Sequence, residues 1–341
     1  MKALVYTGPL KAEVLQVPKP APRVGFLEIK MSYCGICGSD IGIYLGGHPR
    51  AKAPLILGHE FVGVVTDASQ SKKGFKCGDR VVAYPLLSCG HCLPCRTGNA
   101  HVCKTLGLIG IDTDGGICEY AVVDEDVLFK VPDNLSDKAA AVIEPLAVII
   151  RTIHQANFKA LNSAAIIGAG PIGQLTALVL SHMGVSKMFI SDLDPLRLKK
   201  AAQYGAIPVL STEQNLVDVV MDATNGDGVD VVFECSGAES AALDMTKIVR
   251  IGGTVCMTAI HKKPHLVNLQ ELNFREVTLV GSRVYTKEEF GSAVFFAAKI
   301  NDALASLVSH IVPLAESDKV FDMIKDPSLG TVKVLVDCTK V

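Results

Sequence analysis

Ala164–Ile167 is a short apolar run that leads straight into Gly168-Ala-Gly170-Pro171-Ile172-Gly173, and an apolar-periodic stretch continues to His182. A strand that feeds G-x-G-x-x-G and then a helix leaves few folds open. Gly168 permits the tight turn, Gly170 lets the backbone approach a pyrophosphate, and Gly173 lets the helix pack on the strand. Pro171 and Ile172 open the helix, whose unpaired amides would meet the phosphates. Asp192 ends the next apolar run, 19 residues beyond Gly173. A carboxylate there accepts hydrogen bonds from a ribose diol and repels a 2′-phosphate, so the pattern predicts NAD over NADP. Arg197 is close enough to weaken that preference, or to lie over the adenine. The alternative is an ordinary turn without a ligand, in which Asp192 only caps a helix.

The rhythm around this motif sets the organisation. Lys187–Ser191, a helical stretch from Pro195 to Tyr204, Val229–Glu234 and Gly253–Met257 alternate as strand, helix and strand. Such alternation predicts a parallel sheet with crossover helices. Before it, Leu27–Met31, Gly63–Asp67, Arg80–Tyr84 and Glu119–Val123 read as short strands broken by Gly and Pro, hence a β-rich domain. After it come a helical segment, Lys287–Lys299, and a strand-like Thr331–Asp337. For 341 residues two domains are expected. We expect a catalytic domain over 1–145, to which 285–341 returns, and a dinucleotide-binding domain over 146–284.

Eleven cysteines occur without a secretion-type apolar start, so thiols, metal ligands and core residues are expected rather than disulfides. Cys34, Cys77, Cys118, Cys235, Cys256 and Cys338 stand in apolar or strand-like surroundings and read as core or bystander thiols. Cys89, Cys92, Cys95 and Cys103 share a polar, turn-rich loop at a spacing that can close a tetrahedral zinc site. His91 and His101 could compete there, and a metal-free thiol loop is the bland alternative. A second set is more dispersed: Cys37 in CGICGSD, and His59-Glu60 in GHE. One thiolate, one imidazole and a carboxylate leave zinc an open position, as catalysis requires. Asp40 is placed to orient the imidazole. Glu144 is an acid stranded in the apolar run AAAVIEPLAVII, costly unless paired or metal-bound, and is a second candidate ligand. Its alternative role is a helix N-terminal acid ahead of Pro145.

Lysine and arginine total 33 against 35 acidic residues, which gives no footprint for nucleic acid or an anionic membrane. The longest apolar stretch, Ala139–Ile150, is interrupted by Glu144 and Pro145 and is too short to span a bilayer. A soluble, cytoplasmic protein acting on a small molecule is expected.

CGICGSD, GHE, the four-cysteine loop, DGGICEYAVV, EPLA, GAGPIG with Asp192, and GSRVYT together resemble the zinc-containing medium-chain dehydrogenase/reductase superfamily, in particular its sorbitol (polyol) and threonine dehydrogenase branch. The resemblance covers essentially the whole chain. It implies an α/β protein with a GroES-like β-barrel catalytic domain and an inserted Rossmann domain, a doubly wound parallel sheet. It further implies a dimer or tetramer, and one catalytic and one structural zinc per chain. Cys37, His59 and Glu60 then correspond to catalytic zinc ligands, with Glu144 entering or leaving, and the four cysteines to the structural site. Ser39 corresponds to a hydroxyl that hydrogen-bonds the substrate oxygen, and Arg283 to an arginine near cofactor or substrate. Many relatives carry a histidine proton relay two residues after the CGSD or CGTD motif; this chain has Gly42 there, and ordered water or His48 is expected to take over.

The implied reaction moves a hydride between NAD and a secondary alcohol or ketone, with a polyol, sugar or sugar acid as the first reading. Ketone or aldehyde reduction, or simple secondary-alcohol oxidation, uses the same residues. A non-catalytic NAD-binding protein would be expected to have lost zinc ligands or Ser39. Ile43, Tyr44, Arg283 and Tyr285 are the expected substrate-facing side chains.

Overall fold

The apolar runs become strands that extend past the sequence limits where neighbours supply pairing. Leu27–Met31 grows to Phe26–Gly35, and Gly63–Asp67 grows to Glu60–Asp67. The computed structural model describes residues 1–341, which fall into two units, Met1–Ala147 with Tyr285–Val341, and Val148–Val284. No helix is long and apolar enough to cross a membrane.

The first unit is built on Phe26–Gly35, which pairs antiparallel with Glu60–Asp67, Tyr120–Asp124 and Lys333–Asp337. These belong to a seven-stranded sheet that also contains Leu128–Lys130, Arg80–Ala83 and Val308–Pro313. Leu27, Ile29 and Met31 lie on alternate positions of the central strand and are fully buried, as the two-residue period of a strand requires. A smaller sheet joins Lys11–Gln16, Lys2–Gly8 and Leu55–Ile56. The returning segment contributes a strand the sequence did not advertise, Val308–Pro313, parallel to Lys333–Asp337. Its Ser309 and His310 interrupt the apolar pattern, and only Val312 is buried.

The second unit is a six-stranded parallel sheet. Its spatial order is Ile207–Leu210, Met188–Asp192, Ala164–Ile167, Val229–Glu234, Val249–Met257 and Thr278–Gly281. In chain order this is third, second, first, fourth, fifth, sixth: the doubly wound dinucleotide-binding arrangement, whose ligand crevice lies where the order reverses beside the first strand. Ala164, Ala165, Ile166, Phe189, Ile190, Val232 and Phe233 are buried without alternation, because both faces of the sheet are covered. The helical stretch read as Pro195–Tyr204 is α-helical only to Ala201, then tightens into a 3-10 turn that ends at left-handed Gly205. Lys287–Ala297 begins with a capping box, in which Thr286 and Glu289 satisfy each other's backbone amides.

Candidate active site

Strand register assembles the first candidate centre. Gly35 faces Glu60 on one neighbouring strand and Leu335 on the other. A Cβ at Gly35 would overlap Glu60 Oε2 and come within 2.9 Å of Lys333 Cε, so any other residue there would displace the crossing side chains. Just beyond Gly35, Cys37 caps the short helix Gly38–Tyr44. Asp40 Oδ2 accepts from the Cys37 amide at 2.8 Å, while its Oδ1 lies 3.9 Å from His59 Nδ1. Ligand atoms of Cys37, His59 and Glu60 all lie within 4.8 Å of one another.

Most of this set is removed from water. Asp40 is fully buried, Glu60 is 2 %, His59 3 % and Lys333 5 % exposed. Lys333, unnoticed in the sequence, donates to Glu60 Oε2 and, at 3.1 Å, to the Ile36 carbonyl. Burial works against its charge, but Glu60 and Cys37 outweigh that and raise its pKa. Burial likewise opposes charge on His59, and Cys37 and Asp40 more than compensate, so its pKa rises well above the ordinary value. Burial raises Asp40, against the pull of His59. Glu144 is pushed up to about 7 by burial, with Glu60 adding to the effect and His59 opposing it. Tyr285 donates to Glu144 Oε1 at 2.5 Å.

Four acidic side chains, Cys37, Asp40, Glu60 and Glu144, thus share an enclosed space with two basic ones, His59 and Lys333. That donor set fits a divalent cation: thiolate, imidazole and carboxylate are zinc ligands, and Asp40 stands behind the imidazole. Glu144 lies outside the close cluster that Glu60 joins. Ser39 Oγ is buried and has no hydrogen-bond partner, so the hydroxyl two residues beyond Cys37 is available to a ligand. A cavity of about 640 Å³ lies elsewhere in this unit, against Val17, Phe26, Phe61 and Tyr120, and none of Cys37, His59, Glu60 and Glu144 lines it.

Two of the expected substrate-facing residues are not available. Ile43 is 1 % and Tyr285 0 % exposed; the first belongs to the core and the second is spent on Glu144. Tyr44 stacks on Phe321, with centroids 4.2 Å apart and planes within 3°. Arg283 is exposed. His48 Nδ1 accepts from the amides of Arg50 and Ala51 at 3.4 and 3.3 Å, and burial together with Arg50 lowers its pKa. With that lone pair engaged, the imidazole can donate but not take up a proton without breaking its turn.

The second centre is the loop of Cys89, Cys92, Cys95 and Cys103. Its sulfurs are 3.4 Å (Cys92–Cys95), 3.8 Å (Cys92–Cys103) and 4.0 Å (Cys89–Cys95) apart. Four sulfurs about 2.3 Å from a tetrahedral zinc would stand about 3.8 Å from one another. The amide of Cys89 and other donors bring Cys103 down to about 6, whereas burial and neighbouring thiols hold Cys95 up at about 11. His91 turns its Nδ1 to the Cys89 carbonyl, and no histidine is in the four-sulfur cluster. Of the six cysteines read as bystanders, Cys34, Cys118, Cys256 and Cys338 are buried, Cys235 is half-buried and Cys77 is exposed.

In the second unit Gly168 has φ +101°, and a Cβ on Gly173 would overlap the Gly168 carbonyl oxygen. A Cβ on Gly170 would meet nothing within 4 Å, so the protein itself makes no demand for glycine there. Asp192 closes the turn from the neighbouring strand, accepting from the amides of Ala169 at 2.6 Å and Asp194 at 2.9 Å. Asp194, not Asp192, caps the next helix. Arg197 stays close to Asp194, 3.5 Å away.

Residues 25–133 match the alcohol dehydrogenase GroES-like domain family and residues 171–299 the zinc-binding dehydrogenase family. The chain belongs to the zinc-containing medium-chain dehydrogenase/reductase superfamily. Within that superfamily it falls in the polyol/threonine dehydrogenase branch. It is 34 % identical to a 2-dehydro-3-deoxy-L-galactonate 5-dehydrogenase of Pseudoalteromonas atlantica, over 99 % of both chains. Its fold is similar to that of 2R,3R-butanediol dehydrogenase from Bacillus subtilis (TM-score 0.91, 31 % identity, 98 % and 99 % of the two chains). It is also similar to a zinc-binding dehydrogenase from Sinorhizobium meliloti 1021 bound to NADP (TM-score 0.90, 30 % identity, 98 % of each chain). The protein is therefore a zinc-dependent, NAD(P)-linked oxidoreductase of secondary alcohols.

Gly35→Ala should push Glu60 and Lys333 apart. We expect catalytic zinc to be lost and activity to fall at least about tenfold. Metal analysis should find one zinc per chain in the variant against two in the parent; full zinc content with full activity would refute the crossing role of Gly35.

Proposed function

We propose that the protein oxidises a secondary hydroxyl of a polyol, sugar or sugar acid with NAD. The observation that supports this most directly is the buried, unpartnered Ser39 hydroxyl beside an enclosed cysteine–histidine–glutamate set. Zinc held by Cys37, His59 and Glu60 would supply Lewis acidity that lowers the substrate hydroxyl's pKa, and bound dinucleotide would accept the hydride. The protein's own residues do the rest. Ser39 hydrogen-bonds the substrate hydroxyl and takes its proton. Asp40 fixes the His59 ring, Lys333 restrains Glu60, and Tyr285 restrains Glu144. We assign Glu60 as the resident carboxylate ligand and Glu144 as its exchange partner.

The proton leaves by solvent. A Cβ at Gly42 would meet nothing within 4 Å, no imidazole stands at this position, and His48 is occupied by its own turn. The pH–rate profile of His48→Ala should coincide with that of the parent; a displaced limb would make His48 the relay.

Preference for NAD rests on the Asp192 carboxylate at the end of Met188–Asp192, with the Gly168–Gly173 turn holding the pyrophosphate and Arg197 beside it. Arg283, exposed, is the cation we assign to cofactor or substrate. The likeness to a sugar-acid dehydrogenase supports a polyhydroxylated substrate, and that to a butanediol dehydrogenase keeps simple secondary alcohols, or reduction of their ketones, as the second reading. Turnover screened over polyols, aldonates and short diols, with NAD and NADP and with or without chelator, tests these assignments. We expect NAD-linked, chelator-sensitive oxidation of a polyol or aldonate. Chelator-insensitive turnover would remove the catalytic zinc, and faster turnover with NADP would remove the role of Asp192.

The cysteines are all free thiols, which suits a reducing cytoplasm. We further propose a homo-oligomer. Thr278–Gly281 is an edge strand with an open side, and the chain leading to it exposes Ile260 (88 %), Leu266 (73 %), Leu269 (72 %) and Phe274 (76 %). A second copy can cover both, pairing edge to edge. Light scattering should give a dimer or tetramer, reduced in mass by Phe274→Glu; a monomeric parent would refute it.

A further inference from the structure

Glu234 ends the fourth strand of the parallel sheet and is wholly buried. Its carboxylate serves two loops. Oε1 accepts from Ser236 N at 2.8 Å, Ser236 Oγ at 2.6 Å and Gly237 N at 2.8 Å, which closes the turn that follows the strand. Oε2 has no hydrogen-bond partner; the polar group beside it is Nε2 of His261, at an ion-pair distance of 3.0 Å, in the loop after the fifth strand. The Glu234 carbonyl accepts from Thr258 and Ala259 at 2.9 and 3.0 Å, so backbone and side chain both join the two loops.

This node touches the glycine turn. A Cβ placed on Gly168 would be 3.1 Å from both Ser236 Cβ and Ser236 N, so the turn held by Glu234 lies directly against the first glycine of the motif. Gly237 in turn faces the Ile260 carbonyl and Ala259. Displacing Ser236 slightly would therefore change the space beside Gly168. His265 packs edge-on to His261, with ring centroids 5.2 Å apart, and backs the imidazole rather than reaching Glu234.

We propose that His261 is a positioning residue for the dinucleotide: by tying Glu234 Oε2 to the loop after Val249–Met257, it fixes the turn Cys235–Ala238 against Gly168. Without this imidazole, one oxygen of a buried carboxylate is left with no polar partner, and the carboxylate turns to find another. The loop then loses the stop that holds Ser236 in place. The inference rests on Gly168–Gly173 being the pyrophosphate site, and that premise is tested separately.

NADH binding, followed by fluorescence titration, should be compared for the parent, His261→Leu, His261→Gln and Gly170→Val. We expect His261→Leu to raise the NADH dissociation constant and the KM for NAD about tenfold, the equivalent of 1.4 kcal/mol, with kcat at saturating NAD and the substrate KM within about twofold of the parent. His261→Gln, which restores an N–H donor, should recover most of the affinity. Unchanged NADH binding in His261→Leu, or a parallel loss of kcat and substrate affinity that Gln does not rescue, would overturn the proposal. Gly170→Val, whose Cβ meets no protein atom within 4 Å, should abolish NADH binding without unfolding; if it binds normally, the premise fails and not merely the role of His261.

Discussion

Glu60 and Lys333 meet across Gly35, and the first unit is arranged around that meeting. Either charge alone would be prohibitive at this depth, and removing one partner of such a pair typically costs about 3–5 kcal/mol. The pair exists only because three strands are in one register, with Gly35 opposite Glu60 on one side and Leu335 on the other. A one-residue slip would send these side chains to the opposite face of the sheet. The Cys37 turn follows directly from the central strand, and His59 directly precedes the strand of Glu60. Register thus sets the spacing of all three zinc-binding candidates.

Lys333 also separates Glu60 from Glu144. Both carboxylates are buried, but they have different companions: an ammonium group and a phenol. Burial raises Glu144 to about 7, where both protonation states are populated near neutrality. The same arrangement recurs in the second unit, where Glu234 is stabilised by turn amides and an imidazole. Each acid is tolerated in the interior because a specific loop or strand is fastened to it.

Much of this was legible in the sequence. GAGPIG after an apolar run yields the turn and the helix, since the left-handed turn at Gly168 and the close packing of Gly173 on it are local demands. The four-cysteine loop is equally readable, as all its ligands lie within one short segment. The carboxylate partners were not. Nothing local marks Lys333 in TVKVLVD or Tyr285 in GSRVYT as neighbours of Glu60 and Glu144, because sheet register brings them together. Reading Ile43 and Tyr285 as substrate-facing failed for the same reason: short segments rich in glycine do not reveal which side of the backbone is enclosed. His261 gave no signal either, being one of two histidines in a loop with two lysines.

Glu60 and Lys333 are 273 positions apart. Chains are made and fold from the amino end, so the N-terminal half of the barrel, with its cysteine, histidine and glutamate, emerges long before its last strand. During that interval Glu60 has no ammonium partner, and the central strand exposes an unpaired edge where Lys333–Asp337 will lie. The intervening parallel unit, with its local strand–helix contacts, has time to form first. The Glu60–Lys333 pair therefore closes only after the intervening parallel unit has been made.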